Sequence, residues 1–336
     1  MQRESRAQLV VRLRHPALGS VRGAVRARGL ASTALVALAW APVAVAGPEG
    51  GIVIGGSAEI VTQGRQTTIE QASDRALIEW RDFDIAPDEG VTFRQPSAAS
   101  IALNRVKSVD PTVIRGQLNA NGQVWVVNRN GVHIGEGASV DVGGLIATTA
   151  DITDAAFMAG EDRFDIPGSP DAAVVNEGRI TFGEAGLVGL VGPQARNAGV
   201  IAGRLGTVVV AGAETFAIDP AGDGILALPV GEGAAVLAEN TGTIANEGGR
   251  VLMDAAAAEA ALARVLADGE IAASSVSASE GRITLSGGEV VVGGSLDVSG
   301  VGGAAGGTVI ATGDTVHLTE TARVEASGST GAAGGT

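Results

Sequence analysis

Close internal repetition is the feature that most constrains the fold of this chain. The segment DVSGVGGAAGGT, which begins at Asp297, returns as EASGSTGAAGGT from Glu325 onward, 28 residues later. An Asn-x-Gly tripeptide also recurs, usually just before an apolar run, and the first two copies lie 21 residues apart. The four copies begin at Asn176, Asn197, Asn240 and Asn246. Spacings of this size are typical of β-solenoids, in which each coil buries its apolar face only by stacking on its neighbours.

The composition favours the same architecture. The 336 residues include 51 Gly, and 45% of the chain is hydrophobic although only 3% is aromatic. Small aliphatic side chains pack well in thin sheets, while Gly and Asn tolerate the backbone conformations of tight corners. Asn side chains at equivalent corners can also form a hydrogen-bonded ladder along the stack. A β-sandwich with similar turns is the alternative, although it does not require a fixed repeat of Gly-rich corners.

Short apolar runs bounded by Gly, Asn and Asp predict strands along most of the chain. Examples are residues 51–55, 76–80, 90–93, 124–127 and 208–210. We therefore predict an all-β protein, a right-handed parallel β-helix from about Gly51 onward, with an N-terminal cap of short strands. Residues 254–266 are Ala-rich with some helical spacing, and either a short outer helix or a pair of strands fits them.

The first 46 residues have the pattern of a signal peptide. They contain seven of the 23 basic residues and one of the 37 acidic residues, followed by an apolar run from Leu30. Small residues at Ala44 and Ala46 occupy the two positions that a signal peptidase reads, which predicts cleavage after Ala46 and passage through the general secretion machinery. The alternative is an uncleaved anchor, but Pro42 interrupts the run and makes it short for a membrane span.

Charge and cysteine content narrow the possible partners. Without the first 46 residues the chain carries a formal net charge of −20, which argues against nucleic acid or anionic lipid as a partner. The chain has no Cys, so it contains no disulfide framework.

Between residues 80 and 149, five blocks follow one another in a recognisable order. They are residues 80–85 (WRDFDI), 90–96 (GVTFRQP), 102–106 (ALNRV), 116–135 (GQLNANGQVWVVNRNGVHIG) and 140–149 (VDVGGLIATT). This order resembles the two-partner secretion domain of filamentous haemagglutinins, related haemolysins and large bacterial adhesins. Their hallmark is an Asn-Pro-Asn-Gly turn followed by an apolar residue and, shortly after, by Gly. The resemblance extends over residues 47–225, and residues 226–336 are predicted to continue the β-helix in a chain that extends beyond Thr336.

The resemblance assigns the hallmark turn to Asn128, Asn130, Gly131 and Gly135. Position 129 is Arg where the family usually has Pro. Arg can adopt the φ that Pro imposes, so the turn is compatible with Arg129 but less preorganised. We expect Asn130 and Gly131 both to have positive φ, and the Asn128 side chain to cap the turn.

The resemblance also implies a function. It predicts a secreted or surface exoprotein of a Gram-negative bacterium that reaches the periplasm and is then exported. The partner would be a dedicated outer-membrane barrel transporter with periplasmic recognition domains, and adhesion would be the end use. No receptor is predicted. A secreted polysaccharide-degrading β-helix enzyme and a structural surface protein are the alternatives.

The sequence offers little support for an enzyme or a metal site, so no catalytic residue, cofactor or metal is predicted. The acidic group Asp82, Asp84, Asp88 and Glu89 lacks the Gly and terminal Glu of an EF-hand loop. His133 and His317 are far apart, without Cys partners. Lys107 is the only Lys after residue 46, and no acidic cluster accompanies it as in β-helix lyases.

Overall fold

The computed structural model describes residues 47–219, 224–228, 235–255, 263–276 and 279–336. Three long sheets run side by side along the molecule, and we call them sheets A, B and C. In each complete coil the chain passes from sheet C to sheet B and then to sheet A. Strands that follow one another within a sheet therefore belong to successive coils and pair in parallel.

The strands are numbered β1 to β34 along the chain. Sheet A contains β1 (Ile52–Gly55), β4 (Arg75–Trp80), β6 (Ile101–Val106), β9 (Gln123–Asn128), β12 (Gly144–Thr148), β16 (Leu187–Gly192), β19 (Thr207–Gly212), β24 (Arg250–Ala255), β28 (Arg282–Ser286) and β32 (Thr308–Thr312). Sheet B contains β2 (Ala58–Gln63), β3 (Gln66–Gln71), β5 (Gly90–Arg94), β8 (Gln117–Ala120), β11 (Ser139–Val142), β15 (Arg179–Phe182), β18 (Val200–Arg204), β23 (Thr243–Glu247), β26 (Glu270–Ala272), β30 (Ser295–Asp297) and β34 (Arg323–Glu325).

Sheet C and three smaller groups complete the fold. Sheet C contains β7 (Thr112–Ile114), β10 (Val132–Ile134), β14 (Ala173–Asn176), β17 (Gln194–Asn197), β22 (Val236–Asn240), β25 (Ala263–Ala267), β29 (Glu289–Val292) and β33 (Thr315–Leu318). A three-stranded sheet is formed by β13 (Arg163–Phe164), β20 (Thr215–Asp219) and β21 (Gly224–Leu228), and β27 (Ser275–Val276) pairs with β31 (Gly300–Val301). Helix α1 spans Asp154–Ala159, with Thr153 as its N-cap and Gly160 as its left-handed C-cap.

The N-terminal end of the solenoid is closed by antiparallel pairs. β1 pairs with β4 and β2 pairs with β3, whereas the strands that follow in sheets A and B pair in parallel. A hairpin at this end occupies backbone groups that would otherwise be an open sheet edge. The predicted right-handed parallel β-helix with a cap of short strands is confirmed, and the β-sandwich alternative is excluded.

The sequence repeats correspond to coils. Asp297 pairs with Glu325 in sheet B, so the 28-residue repeat is one turn of the helix. Asn176, Asn197 and Asn240 are fully buried at equivalent corners. Nδ2 of Asn176 donates to Oδ1 of Asn197, and Nδ2 of Asn197 donates to Oδ1 of Asn240, both at 2.7 Å. The predicted Asn ladder is thus confirmed for these three. Asn246 is not part of it, because it lies at the end of a sheet B strand and donates to the carbonyl groups of Gly206 and Arg250.

Sheet A has a hydrophobic core on each of its faces. Along β9, Val124 and Val126 point into the β-helix, whereas Trp125 and Val127 point outward into a second apolar cluster. That outer cluster is closed by α1 and the three-stranded sheet, which contribute Phe157, Phe164, Phe216 and Ile225. The rings of Phe164 and Phe216 stack at a centroid distance of 4.5 Å. Burial on both faces explains why strands such as β9 are apolar at consecutive positions.

Three predictions concern segments that the structure describes in part or not at all. The signal peptide, with Ala44 and Ala46, lies outside the described residues. Residues 254–266 are strand at both ends, in β24 and β25, and residues 256–262 lie outside the description. Sheets A, B and C continue on both sides of residue 225. Within the described ranges no helix has the length and apolar character needed to cross a membrane.

Candidate recognition site at the turn 128–131

The turn of residues 128–131 lies at a corner between sheet A and sheet C, where β9 leads into β10. The equivalent corner of the preceding coil is residues 107–111, between β6 and β7. In the following coil the chain makes a long excursion over residues 149–172, which includes α1 and β13. The turn is therefore held between two neighbouring segments of the stack.

Asn128 joins the turn to the preceding corner and is fully buried. Its Nδ2 donates to the carbonyl oxygen of Asp110 and to Oγ1 of Thr112, both at 3.0 Å. Its Oδ1 accepts from the N–H of Asn130 at 2.9 Å, which closes an Asx turn. The Asn128 carbonyl accepts from the N–H of Gly131 at 3.0 Å, as in a β-turn. The prediction that Asn128 caps the turn is confirmed.

The Asn130 side chain forms hydrogen bonds with the preceding corner and with the following excursion. Its Nδ2 donates to the carbonyl oxygen of Ser108 at 2.9 Å, and its Oδ1 accepts from the Ser169 hydroxyl at 3.1 Å. Gly131 has φ of +125°, and a Cβ at that position would lie 2.8 Å from the carbonyl oxygen of Ala173. Gly131 is therefore required both by its backbone conformation and by the closeness of the next coil.

The prediction of positive φ at Asn130 is wrong. Among the described residues, only Ala185 and Leu205 have positive φ without being Gly. Arg129 and Asn130 are thus the central pair of a turn with ordinary φ values, and Gly131 occupies the fourth position. The physical reason is the Asn128 side chain, whose bond to the Asn130 N–H favours this conformation over one with two left-handed residues.

This geometry makes an Arg129→Pro variant informative. Arg129 occupies the first central position, which Pro favours, and in the described part of the chain its N–H makes no hydrogen bond. Pro there restricts the unfolded chain, so we expect stabilisation of about 0.4–1 kcal/mol and a melting temperature about 1–3 °C higher. Asn130→Pro is the matched control and should lower the melting temperature, because it removes the N–H that Asn128 binds. A lower melting temperature for Arg129→Pro would contradict the assigned geometry.

Gly135 is not part of the turn. It follows the far end of β10, where its N–H donates to the carbonyl oxygen of Ile114 at 2.7 Å and its own carbonyl accepts from Ala138. A Cβ at Gly135 would lie 3.2 Å from Cγ of Arg115. The structure therefore brings Asn128, Asn130 and Gly131 together and leaves Gly135 at the next corner.

A cleft of about 490 Å³ opens beside the turn. Its wall includes Arg129 and Asn130 of the turn, and also residues of the preceding corner. Val109 is at its edge with 85% of its surface exposed, the largest value among the exposed large hydrophobic residues of the described chain. Single exposed apolar side chains are common on protein surfaces, so what distinguishes Val109 is its position beside a turn that hydrogen bonds hold in place.

The floor of the cleft contains an ionic cluster that sequence reasoning did not identify. Arg105, at the end of β6, donates to Asp151 at 2.9 Å and to Asp154 at 2.6 Å, and its Nη2 donates to the Ile152 carbonyl at 2.6 Å. Only 7% of its side chain is exposed. Burial lowers the pKa of the Arg105 guanidinium, but the nearby carboxylates more than offset this, so the pKa is raised above its ordinary value. This cluster ties the excursion of residues 149–172 to sheet A.

A second arginine anchors the middle of the same excursion. Arg75 binds both carboxylate oxygens of Asp162 at 2.7 Å and also the Phe157 carbonyl. Its guanidinium carbon lies 4.7 Å from the Phe157 ring centroid and 5.7 Å from that of Trp125. Unbroken apolar runs such as residues 124–127 indicate in the sequence that the outer face of sheet A is covered. They do not indicate which segment of the chain covers it.

The remaining polar candidates have structural partners. Val113 N–H donates to Asp84 Oδ1 at 2.6 Å, and burial together with nearby Asp82 raises the pKa of Asp84, although the bond to Val113 opposes this. His133 pairs with Glu177 at 2.7 Å, and Lys107 pairs with Glu79 at the same distance. Within the described ranges no three His, Cys, Asp or Glu side chains are grouped so that they could hold a metal ion.

Comparison with known proteins identifies the family. The family model "TPS secretion domain" matches residues 44–330. The crystal structure of the HMW1 secretion domain from Haemophilus influenzae has a TM-score of 0.74 and 33% sequence identity, covering 84% of this chain and 74% of that one. A heme/hemopexin-binding protein of Haemophilus influenzae is 44% identical over 105 residues, which is 31% of this chain and 12% of that protein. The chain thus matches about a tenth of the length of this curated relative, and it belongs to the TPS (two-partner secretion) domain family.

Proposed function

We propose that the transporter-recognition surface of this secretion domain consists of the turn 128–131 together with the corner 107–111. The partner is an outer-membrane barrel transporter with periplasmic recognition domains, reached after the general secretion machinery has delivered the chain to the periplasm. The observation that carries the proposal is the exposed Val109 beside a turn that is held by hydrogen bonds from the buried Asn128 and the half-buried Asn130. Rigid display of a surface group lowers the entropic cost of binding.

A surface substitution separates recognition from folding. Val109→Asp places a charge at the edge of the cleft without touching the core, so the melting temperature should stay within about 1 °C of the native value. Export by the cognate transporter should fall about tenfold, equivalent to about 1.4 kcal/mol at the interface. Val301→Asp is the matched control, because Val301 is also an exposed Val, at 50%, but lies in a late coil. Normal export of Val109→Asp would remove this surface from the mechanism.

Interior variants of the turn complete the experiment. Asn128→Ala and Asn130→Ile remove the side-chain hydrogen bonds described above, and we expect both a lower melting temperature and accumulation of processed protein in the periplasm. The turn serves folding alone if two results are found together. Export of Asn128→Ala and Asn130→Ile falls only in proportion to their loss of melting temperature, and Val109→Asp is exported normally. Export into the medium and melting of the purified domain are the two measurements.

For the complete protein, we infer a role as a surface adhesin or haemagglutinin. A heme- or hemopexin-binding exoprotein is the second candidate, because the relative with that name is 44% identical over the shared region. A polysaccharide-degrading enzyme and a structural surface protein are further alternatives. An adjacent reading frame for a barrel transporter would support the secretion pathway. Heme binding, cell adhesion and activity on pectin, measured on the full-length product, separate the end uses.

A further inference from the structure

Glu89 is a buried carboxylate close to the first described residues of the chain. Only 6% of its surface is exposed, and it ends the turn that precedes β5. Its Oε2 accepts from the Ala86 N–H at 2.8 Å, which accounts for one of the two carboxylate oxygens. A buried carboxylate is costly unless a cation or several donors compensate for its charge.

No side-chain cation in the described ranges compensates for Glu89. Arg65 pairs with Asp88, and Arg81 pairs with Glu49. Each of these two basic side chains thus has its own acidic partner. Arg115 is a third basic residue beside this turn, where its N–H donates to the Ile85 carbonyl, but its side chain forms no ion pair with Glu89. A positive charge that compensates for this carboxylate would therefore come from another group.

Gly47 lies directly against the Glu89 carboxylate. The position that a Cβ of Gly47 would occupy is 3.7 Å from Oε1 and 3.8 Å from Oε2 of Glu89. Rotation of about 120° about the Cα–C bond of Gly47 moves its nitrogen into nearly that position, because the two bonds from Cα have similar lengths. A small cavity of about 90 Å³, lined by both residues, lies at the same place.

We propose that Glu89 is the binding site for the α-ammonium group that Gly47 acquires when the signal peptide is removed after Ala46. Hydrolysis of the Ala46–Gly47 peptide bond consumes one water, leaving a carboxylate on Ala46 and an amine on Gly47 that takes up a proton. Before cleavage the same nitrogen is an uncharged amide and cannot compensate for the carboxylate. The inference rests on the proposed cleavage position.

The neighbouring backbone favours this ion pair. Glu49 N–H donates to the Asp82 carbonyl at 2.8 Å, and the Glu49 carbonyl accepts from Arg81 N–H at 2.9 Å. Gly47 is thus only two residues from a point already fixed to the end of β4, so little further chain entropy is lost on pairing. Removal of the signal peptide would in this way complete the N-terminal cap, joining the new chain end to the coil that contains β5.

The test compares chain ends of the same protein with and without the positive charge. The domain from Gly47 to Thr336 is released from a fusion that leaves no extra residue, and half of it is Nα-acetylated enzymatically. We expect the free form to melt about 2–4 °C higher at pH 6.5, and we expect Glu89→Gln to abolish this difference. The inference is overturned if acetylation changes the melting temperature equally in the native domain and in the Glu89→Gln variant, or in neither.

The pH dependence provides a second measurement with a defined sign. An α-amino group has a pKa of about 7.7–8.0 in an unfolded chain, and pairing with a carboxylate raises it in the folded protein. The stabilisation is therefore complete below about pH 7.7 and is lost as the pH rises through the folded value. The charged groups around the pair are Arg65, Asp88, Glu49, Arg81, Asp84 and Arg115, and they are the same in the acetylated control.

Failure of the cleavage proposal and failure of the ion pair are distinguishable. The mass of the exported protein shows whether its first residue is Gly47, independently of any melting experiment. A different first residue would refute the biological role even if the released domain shows the pairing. A first residue at Gly47 without an effect of acetylation would refute the ion pair and leave the cleavage proposal intact.

Discussion

An Arg105→Met variant is expected to lose about 3 kcal/mol of its free energy of unfolding. Met has a similar shape but no charge, so Asp151, whose side chain is 16% exposed, would keep a carboxylate without its cation. Breaking a buried ion pair on one side typically costs about 3–5 kcal/mol, and the exposure of Asp154 places the expected value at the lower end. Chemical denaturation of the two proteins measures the difference.

The control for this variant is Arg65→Met. Arg65 also pairs with an aspartate, but both side chains of that pair are more than half exposed, so its loss should cost less than about 1 kcal/mol. In the Arg105→Met variant, amide exchange should also accelerate around Phe157, because Arg105 holds the excursion that carries α1. A loss below about 1 kcal/mol for Arg105→Met would show that water, and not the arginine, compensates for Asp151.

A Val126→Asp variant is expected to abolish export. Val126 is fully buried and points into the β-helix from β9. An unpaired carboxylate there costs on the order of 5 kcal/mol and prevents the next coil from stacking. If stacking of emerging coils draws the chain outward, a lesion in this early coil stops everything that follows. The measurement is the amount of protein in the medium of cells that express the cognate transporter.

Two further variants show whether the effect depends on the position of the lesion along the chain and on its burial. Leu285→Asp places the same charge in a late coil, since Leu285 is also fully buried in the β-helix. We expect this variant to expose its N-terminal coils to external protease although it is not released. Gln117→Asp, at an exposed position of β8, should be exported normally. Secretion of Val126→Asp at the native level would contradict transport driven by folding.

Much of the proposed recognition site was visible in the sequence. The order of five short blocks located the turn, and Asn128 caps it as its composition indicated. The expectation for Asn130 was wrong because Asn-Gly alone favours a turn with two left-handed residues. The bond from the Asn130 N–H to Asn128 selects a different turn, and contacts with Ser108 in the preceding coil and Ser169 in the following excursion hold the Asn130 side chain in it. Hydrogen bonds between coils cannot be read from four consecutive residues.

For the polar residues of the core, too, the sequence predicted one part of the arrangement and contacts between coils decided the rest. The Asn-x-Gly repeat predicted a ladder, and three of its four members form one. Asn246 has the same local sequence but lies at another corner, since the coil position depends on the lengths of the intervening segments. The interval between Asn197 and Asn240 is 43 residues, against 21 residues between Asn176 and Asn197, because it contains β20 and β21.

The sequence by itself determined the coil repeat, the strands and the residues of the corners, because these depend on local conformational preference and on periodic apolar side chains. Only the tertiary structure decided which segments cover the outer face of sheet A and which charges hold them there. Arg105 and Asp151 are 46 residues apart, and Arg75 and Asp162 are 87 apart. Pairings over such distances follow from how the excursion folds back on the solenoid, and no local pattern in the chain specifies that path.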